Sequence, residues 1–218
     1  MRPNQLQARL EALYDVESAV RVEDFMLDDD AVHALPGARR DTPEQLLVAQ
    51  DDAGLRMGVY IEAAALSQLR RDDPDEALHS GNLRAFALLA EGVSHFLCVS
   101  WCAANDRSVS PLELELQAEI DKFVCAALLL RAQTGSDQCA PLIRVLFDHI
   151  RFDPALDASE RDRYRTANGD ARRYCQFLAG YLVARRFHEL RRELRRFYRL
   201  SRNDKVGRIG EVAQRTHG

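Results

Sequence analysis

The stretch that decides the fold runs from residue 82 to residue 104 and reads NLRAFALLAEGVSHFLCVSWCAA. From Phe86 to Ala104 almost every position is apolar or small, and the polar exceptions Glu91 and His95 share one narrow face at about 100° per residue. A helix that is apolar nearly all round is usually buried. Because polar groups interrupt the run, the pattern predicts a core helix, and we expect no membrane association.

The next segment predicts a second long helix, from Pro111 to Arg131. Ser110 can cap its first amides, Pro111 suits the first helical position, and Glu113 can bond back to the cap. Only residues 105–110 separate the two helices. A connection this short predicts that they form an antiparallel pair.

Outside this pair the chain is predicted to be helical except towards its N-terminus. Further helices are predicted over residues 4–14, Glu62–Arg70, Ala140–Phe152, and Gly169 to about Leu200. Two runs of strand-forming residues, Gln45–Gln50 and Leu55–Ile61, are joined by Asp51-Asp52-Ala53-Gly54 and predict a β-hairpin. The segment Val20–Leu27 fits either a strand or a short helix.

These elements predict a mainly α fold, a helical bundle-like domain with a small N-terminal β-hairpin (α+β by strict count). The 218 residues suit a single domain. Within it we expect an N-terminal helix and hairpin subregion (1–70), a helical core (82–200) and a C-terminal tail (201–218).

Composition favours a globular protein of the cytoplasm. Hydrophobic residues make up 46% of the chain and charged residues 29%, which is enough apolar surface to build a core. The five cysteines are odd in number and widely spaced, unlike a disulfide framework, so we expect reduced thiols. The first residues lack the apolar run of a secretory signal.

Charge is divided along the chain. Residues 1–160 contain 14 basic and 28 acidic side chains, a net charge of −14, whereas residues 161–218 contain 16 basic and 6 acidic side chains, a net charge of +10. The basic excess is concentrated on one predicted helix whose apolar stripe consists of Leu190, Leu194 and Phe197. The candidate partner-binding residues on and around it are Arg185, Arg186, Arg191, Arg192, Arg195, Arg196, Arg199 and Arg202.

This arginine-rich helix predicts a non-enzymatic binding or regulatory module. Guanidinium groups form bidentate contacts with carboxylates and phosphates, so the partner is expected to be anionic. We expect a protein partner or a second copy of the chain first, with nucleic acid as the alternative. A further alternative is that the arginines pair with the acidic half of their own chain.

A second hypothesis is a metal-dependent or acid/base enzyme. Glu91 and His95 stand four residues apart on one helix, and the next helix carries Glu115 and Glu119. Inward-facing carboxylates and imidazoles in a helical bundle can bind a divalent metal, although no cofactor is required by any motif. Glu119 lies beside the apolar side of its helix, whereas Asp121 points away from it. The alternative is that Glu91 and His95 pair with each other for structural reasons.

A third hypothesis is a ribonuclease. Arg144 and His149 are separated by four residues within a predicted all-helical region. This arrangement resembles the active-site signature of HEPN-type ribonucleases. The resemblance implies that the two side chains act on a scissile phosphate, and it covers six residues.

Overall fold

The computed structural model describes residues 1–39, 42–51, 54–148 and 157–216. The protein is 68% helical with a small three-stranded sheet, which confirms the predicted mainly α fold. The helices of the described part are α1 (Pro3–Tyr14), α2 (Asp29–His33), α3 (Ala63–Arg71), α4 (Leu83–Ala104), α5 (Pro111–Thr134), α6 (Cys139–Ile143), α7 (Ala158–Val183), α8 (Phe187–Arg199) and α9 (Arg202–Thr216). The strands there are β1 (Met26–Leu27), β2 (Glu44–Asp51) and β3 (Gly54–Ile61).

Contacts divide the chain into two compact units. The first unit contains Met1–Ala12 and Val16–Val109, and the second contains Leu13–Asp15 and Ser110–Gly218. Helix α4 belongs to the first unit and helix α5 to the second. The single domain and the antiparallel pairing of these helices therefore stay predictions.

The sheet of the first unit is built on the predicted hairpin. Strands β2 and β3 are antiparallel in a register that pairs Glu44 with Ile61 and Asp51 with Gly54, which confirms the hairpin. Its turn residues 52 and 53 lie outside the described residues. Strand β1 adds to the other side of β3 in parallel. The ambiguous segment Val20–Leu27 contains both expected structures, because a short 3-10 turn precedes β1.

Helix α4 packs on strands β2 and β3. By length and composition it is the one helix of the described chain that could cross a membrane, and 72% of its most apolar window is buried. This burial agrees with the predicted core helix. Gly92 lies where the helix meets the sheet, because a Cβ there would come within 3.2 Å of Val59 and Ile61 side-chain atoms.

The second unit begins with the predicted cap. The Ser110 hydroxyl accepts a hydrogen bond from the Glu113 amide, and the Glu113 carboxylate accepts one from the Ser110 amide. At the other end of α5, Gly135 has a φ of +68° and its amide bonds to the Arg131 carbonyl, which is a common way to end a helix. Both ends of α5 thus follow from residues that the sequence shows.

The predicted helix from Gly169 to about Leu200 is wrong at its start and in its middle. Helix α7 begins at Ala158, because Asp157 and Glu160 form a second capping box, and it continues through Gly169. The helix then ends at Val183, and α8 begins at Phe187.

The structure gives definite bounds to two other segments. The expected tail is helical from Arg202 to Thr216, as α9. The predicted helix Ala140–Phe152 consists of α6 followed by a π-helical turn over Arg144–Asp148, and its last four residues lie outside the described chain.

Asp121 does not point to solvent as the helical pattern of α5 suggests. It is 1% exposed, and its carboxylate accepts hydrogen bonds from the Tyr14 hydroxyl and from the Gln117 amide at 3.0 Å. A buried carboxylate requires such donors because the transfer of an unpaired polar group from water is costly. Tyr14 precedes Asp121 by 107 residues, so the sequence pattern of α5 alone cannot reveal this partner.

Candidate functional site

Helix α8 has one apolar and one arginine-rich side. Leu190, Leu194 and Phe197 are each at most 1% exposed, so the predicted stripe is buried. Aromatic stacking adds to this packing, since the ring centroids of Phe197 and Tyr174 are 4.0 Å apart. The opposite side of the helix is therefore directed to solvent.

A buried ion pair fixes α8 against its neighbours in the second unit. Glu193 on α8 accepts two hydrogen bonds from Arg208 on α9, at 2.8 and 2.9 Å, and both side chains are at most 10% exposed. Tyr174 on α7 donates a third hydrogen bond to the same carboxylate at 3.1 Å. Burial and the neighbouring Glu193 carboxylate raise the pKa of the Tyr174 hydroxyl well above its ordinary value. The helix is thus held by a fully hydrogen-bonded charged group as well as by apolar packing.

Three arginines of α8 form what we call the arginine face: Arg191, Arg192 and Arg196. All three are exposed, and none makes a hydrogen bond or an ion pair within the part of the chain that the structure describes. Arg192 and Arg196 are about one helical turn apart, a rise of roughly 6 Å. The described residues therefore provide no ion-pair partner for the arginine face.

Two other arginines of α8 are used by the fold. Arg199 donates hydrogen bonds to the main-chain oxygens of Tyr14 and Asp15 at 2.8 and 2.6 Å. Arg195 donates to the main-chain oxygen of Leu13 at 3.3 Å and forms an ion pair with the Asp15 carboxylate at 3.6 Å. These carbonyls lie at a helix end, where intrahelical partners are missing. Both arginines therefore contact their own chain, through main-chain oxygens and, for Arg195, also through the acidic side chain of Asp15.

The remaining candidate arginines flank α8. Arg186 pairs with Glu189 at 3.0 Å, and hydrogen bonding to that guanidinium lowers the pKa of the Glu189 carboxyl. Arg185 is exposed and has a φ of +58°, an unusual conformation for a residue with a side chain. Arg202, at the start of α9, is also exposed. Neither Arg185 nor Arg202 has an ion-pair partner among the described residues.

The candidate metal ligands Glu91 and His95 lie one turn apart on α4. One ligand atom of each lies within 4.8 Å of the other. His95 is 6% exposed, and its Nδ1 lies 3.3 Å from Oε1 of Glu44 on β2. Sequence reasoning missed Glu44, because only the packing of α4 on the sheet brings β2 to this histidine.

Glu115 and Glu119 belong to α5 of the second unit. Glu119 pairs with Lys122 at 2.8 Å, and Glu115 is 9% exposed. A contribution of either carboxylate to a metal site stays a prediction.

The ribonuclease hypothesis involves a residue that the structure does not describe. Arg144 is exposed in the π-helical turn, whereas His149 lies outside the described residues. In that turn Asp148 pairs with Arg172 at 2.7 Å. The role of Arg144 and His149 stays a prediction.

The cysteines all lie in the described part of the chain, and none of them forms a disulfide. Burial raises the pKa of the Cys139 thiol to about 12 and that of the wholly buried Cys175 well above its ordinary value. Both thiols thus remain protonated at neutral pH and are weak nucleophiles.

Comparisons with protein-family models, with curated proteins and with solved structures give no match for this chain.

Proposed function

We propose that this protein is a non-enzymatic binding module that recognises an anionic partner through the arginine face of α8. The observation that carries the proposal is that Arg191, Arg192 and Arg196 are exposed on one rigid helix without an acidic partner in the described chain. A protein surface rich in Asp and Glu, a second copy's acidic region or a nucleic-acid backbone would each provide the complementary charge.

The chemistry of the side chains supports an anionic partner. Guanidinium groups remain charged at every physiological pH and form paired hydrogen bonds with carboxylate or phosphate oxygens. The like charges of Arg192 and Arg196, one helical turn apart, repel each other, and this repulsion is relieved when an anion binds. The Glu193–Arg208 ion pair holds the helix in place, so binding has to order the arginine side chains but not the helix that carries them.

The function can be tested by reversing the charge of the arginine face. The variant Arg191→Glu/Arg192→Glu/Arg196→Glu leaves Arg195 and Arg199 in place, since these two hold main-chain carbonyls. Binding to three labelled probes would be measured by fluorescence anisotropy: a single-stranded RNA of about 20 nucleotides, a DNA duplex of similar length, and an acidic poly-glutamate peptide. We expect the variant to lose on the order of tenfold or more in affinity for the probe that the natural protein prefers.

A matched control reverses three arginines outside α8. The variant Arg2→Glu/Arg70→Glu/Arg165→Glu changes the net charge by the same amount and also affects exposed side chains. This control variant is expected to keep most of the affinity for the preferred probe. Preference for RNA or DNA would identify a nucleic-acid partner, and preference for the peptide would identify a protein partner. Equal losses in the two variants, or no binding of any probe by the natural protein, would contradict the proposal.

A further inference from the structure

The cluster around His95 in the first unit is independent of the arginine face. We propose that Glu91 and His95 form a binding site for a divalent transition metal of the zinc class, and that Glu44 is the carboxylate that positions the His95 ring. The geometry that points to this site consists of the one-turn spacing on α4 and the contact from β2.

The first step is the spacing of the two ligands. Residues four apart on a helix project from the same face, so Glu91 and His95 can reach one ion. Their ligand atoms already lie within 4.8 Å of each other. Zinc binds imidazole nitrogen and carboxylate oxygen at about 2.0–2.2 Å, so the two side chains would rotate closer together to share one ion.

The second step is the orientation of the imidazole. Nδ1 of His95 lies 3.3 Å from Oε1 of Glu44. An ionised carboxylate only accepts hydrogen bonds, so the proton of a neutral imidazole lies on Nδ1 in this contact and Nε2 is the metal-binding nitrogen. Histidines that bind metals very often donate their other ring N–H to a carboxylate, which is the relation that Glu44 provides.

The third step is the place of the cluster in the fold. Glu44 is 7% exposed at the first position of β2, where the antiparallel register pairs it with Ile61. Gly92 leaves room for this carboxylate, since a Cβ at that position would lie 3.3 Å from the Glu44 oxygen. Glu91 is less buried than the other two side chains, so an ion can approach from its side. The site thus combines the His95 imidazole, held by Glu44, with the more accessible Glu91 carboxylate.

The ligand chemistry selects the class of metal. One imidazole and one carboxylate favour zinc, iron or cobalt over calcium and magnesium, which prefer sites made of oxygen alone. Zinc is usually four-coordinate, so two protein ligands leave two positions for water. The structure assigns no substrate.

The site can be tested with metal alone. The full chain, stripped with a chelator, would be titrated with Zn²⁺ by calorimetry and with Co²⁺ by visible absorption. We expect one ion per chain, and loss of binding in both His95→Ala and Glu91→Gln. In Glu44→Gln the amide oxygen can still accept a hydrogen bond from Nδ1 but carries no negative charge to strengthen the imidazole as a ligand, and affinity is expected to fall by about 10- to 100-fold while one ion still binds.

Two controls make the result specific. His79→Ala removes an exposed histidine that pairs with Asp72, and it is expected to leave metal binding unchanged. Circular dichroism shows whether each variant is folded. Glu91→Gln changes a partly exposed side chain, so it serves as the test if His95→Ala unfolds. Unchanged binding in Glu91→Gln, an intense cobalt–thiolate absorption band that indicates cysteine ligands, or no binding by the natural protein would overturn the proposal.

Discussion

Tyr14 shows how a single polar group is satisfied inside the second unit. It is 1% exposed, it stacks on Tyr198 with ring centroids 4.3 Å apart, and its hydroxyl donates to Asp121. Gln117 donates to both the Tyr14 hydroxyl and the Asp121 carboxylate, each at 3.0 Å. Burial, followed by the charge of Asp121, raises the pKa of Tyr14 well above its ordinary value of 10. The folded protein therefore favours the neutral phenol.

Tyr14→Phe is expected to destabilise the protein at neutral pH. The change removes one donor from a buried carboxylate, which costs about 1–3 kcal/mol of unfolding free energy. The pKa of Tyr14 is raised in the folded state, so the tyrosine adds to the unfolding free energy. This contribution is fully present below pH 10 and is lost as the pH rises from 10 through the pKa of the folded state. Urea denaturation at neutral and alkaline pH should show a steeper alkaline loss in the natural protein than in the variant.

The control for Tyr14→Phe is Tyr181→Phe. The hydroxyl of Tyr181 makes no hydrogen bond within the described chain, so this change should alter the unfolding free energy by less than about 0.5 kcal/mol. Equal effects of the two substitutions would show that the Asp121 hydrogen bond adds no stability.

Individual residues were predictable from the sequence only where local pattern determines their environment. Helical periodicity correctly placed Leu190, Leu194 and Phe197 in the core. Periodicity could not find Glu44, which lies 51 residues before His95 and meets it only through tertiary packing. Contacts of this kind require knowledge of the packing of α4 on the sheet.

The turn between α7 and α8 is a helix end with an unusual residue. The Arg186 amide bonds to the Tyr181 carbonyl at 2.8 Å and the Arg185 amide to the Leu182 carbonyl at 3.2 Å, which is a Schellman motif. The left-handed position of this motif is usually Gly, yet here it is Arg185 with a φ of +58°. A side chain in this conformation costs about 1 kcal/mol.

Arg185→Gly is expected to raise the unfolding free energy by about 0.5–1 kcal/mol, because the strain is relieved at some cost in unfolded-state entropy. The matched change Arg185→Ala keeps a Cβ and should leave stability nearly unchanged. Urea midpoints at equal m-values would measure both effects. A glycine variant no more stable than the alanine variant would show that the turn is not strained.

Helix ends were predictable from the sequence to different extents. Ser110 and Glu113 carry a recognisable capping box, and Asp157 and Glu160 carry another that could have been read in the same way. The break at Arg185 has no signal, because Ala184-Arg185-Arg186 contains neither Gly nor Pro. Here the burial of the α8 stripe and the Glu193–Arg208 ion pair outweigh the low preference of these three residues for a helix end.

The net charge of the protein and the charge of its C-terminal region have opposite signs. The protein has a formal net charge of −4, yet its last 58 residues hold +10. The mainly α fold was predictable because long periodic segments determine helices. The sequence does not predict which α8 arginines bond to their own chain, because this depends on the main-chain oxygens of Leu13, Tyr14 and Asp15.

The uneven distribution of charge along the chain predicts that the protein is retained on heparin at neutral pH and low salt although its net charge is negative. Binding to a polyanion depends on the local electrostatic potential of the surface that it contacts. We expect elution by moderate salt, since the interactions are screened over about 10 Å at roughly 0.1 M. The arginine-face variant should elute earlier than the Arg2/Arg70/Arg165 variant of equal net charge. A natural protein found in the flow-through would contradict this expectation.

The contacts made by Arg195 and Arg199 bear on how related sequences can vary. Both arginines hold main-chain oxygens, which every amino acid supplies, so mutation of the facing side chains leaves these hydrogen bonds intact. Asp15 has a φ of +57°, a conformation that Asn and Gly also adopt readily. Changes at position 15 should therefore be confined to a few small residues, and loss of the Asp15 carboxylate, which lies 3.6 Å from Arg195, should leave the main-chain hydrogen bonds of both arginines in place.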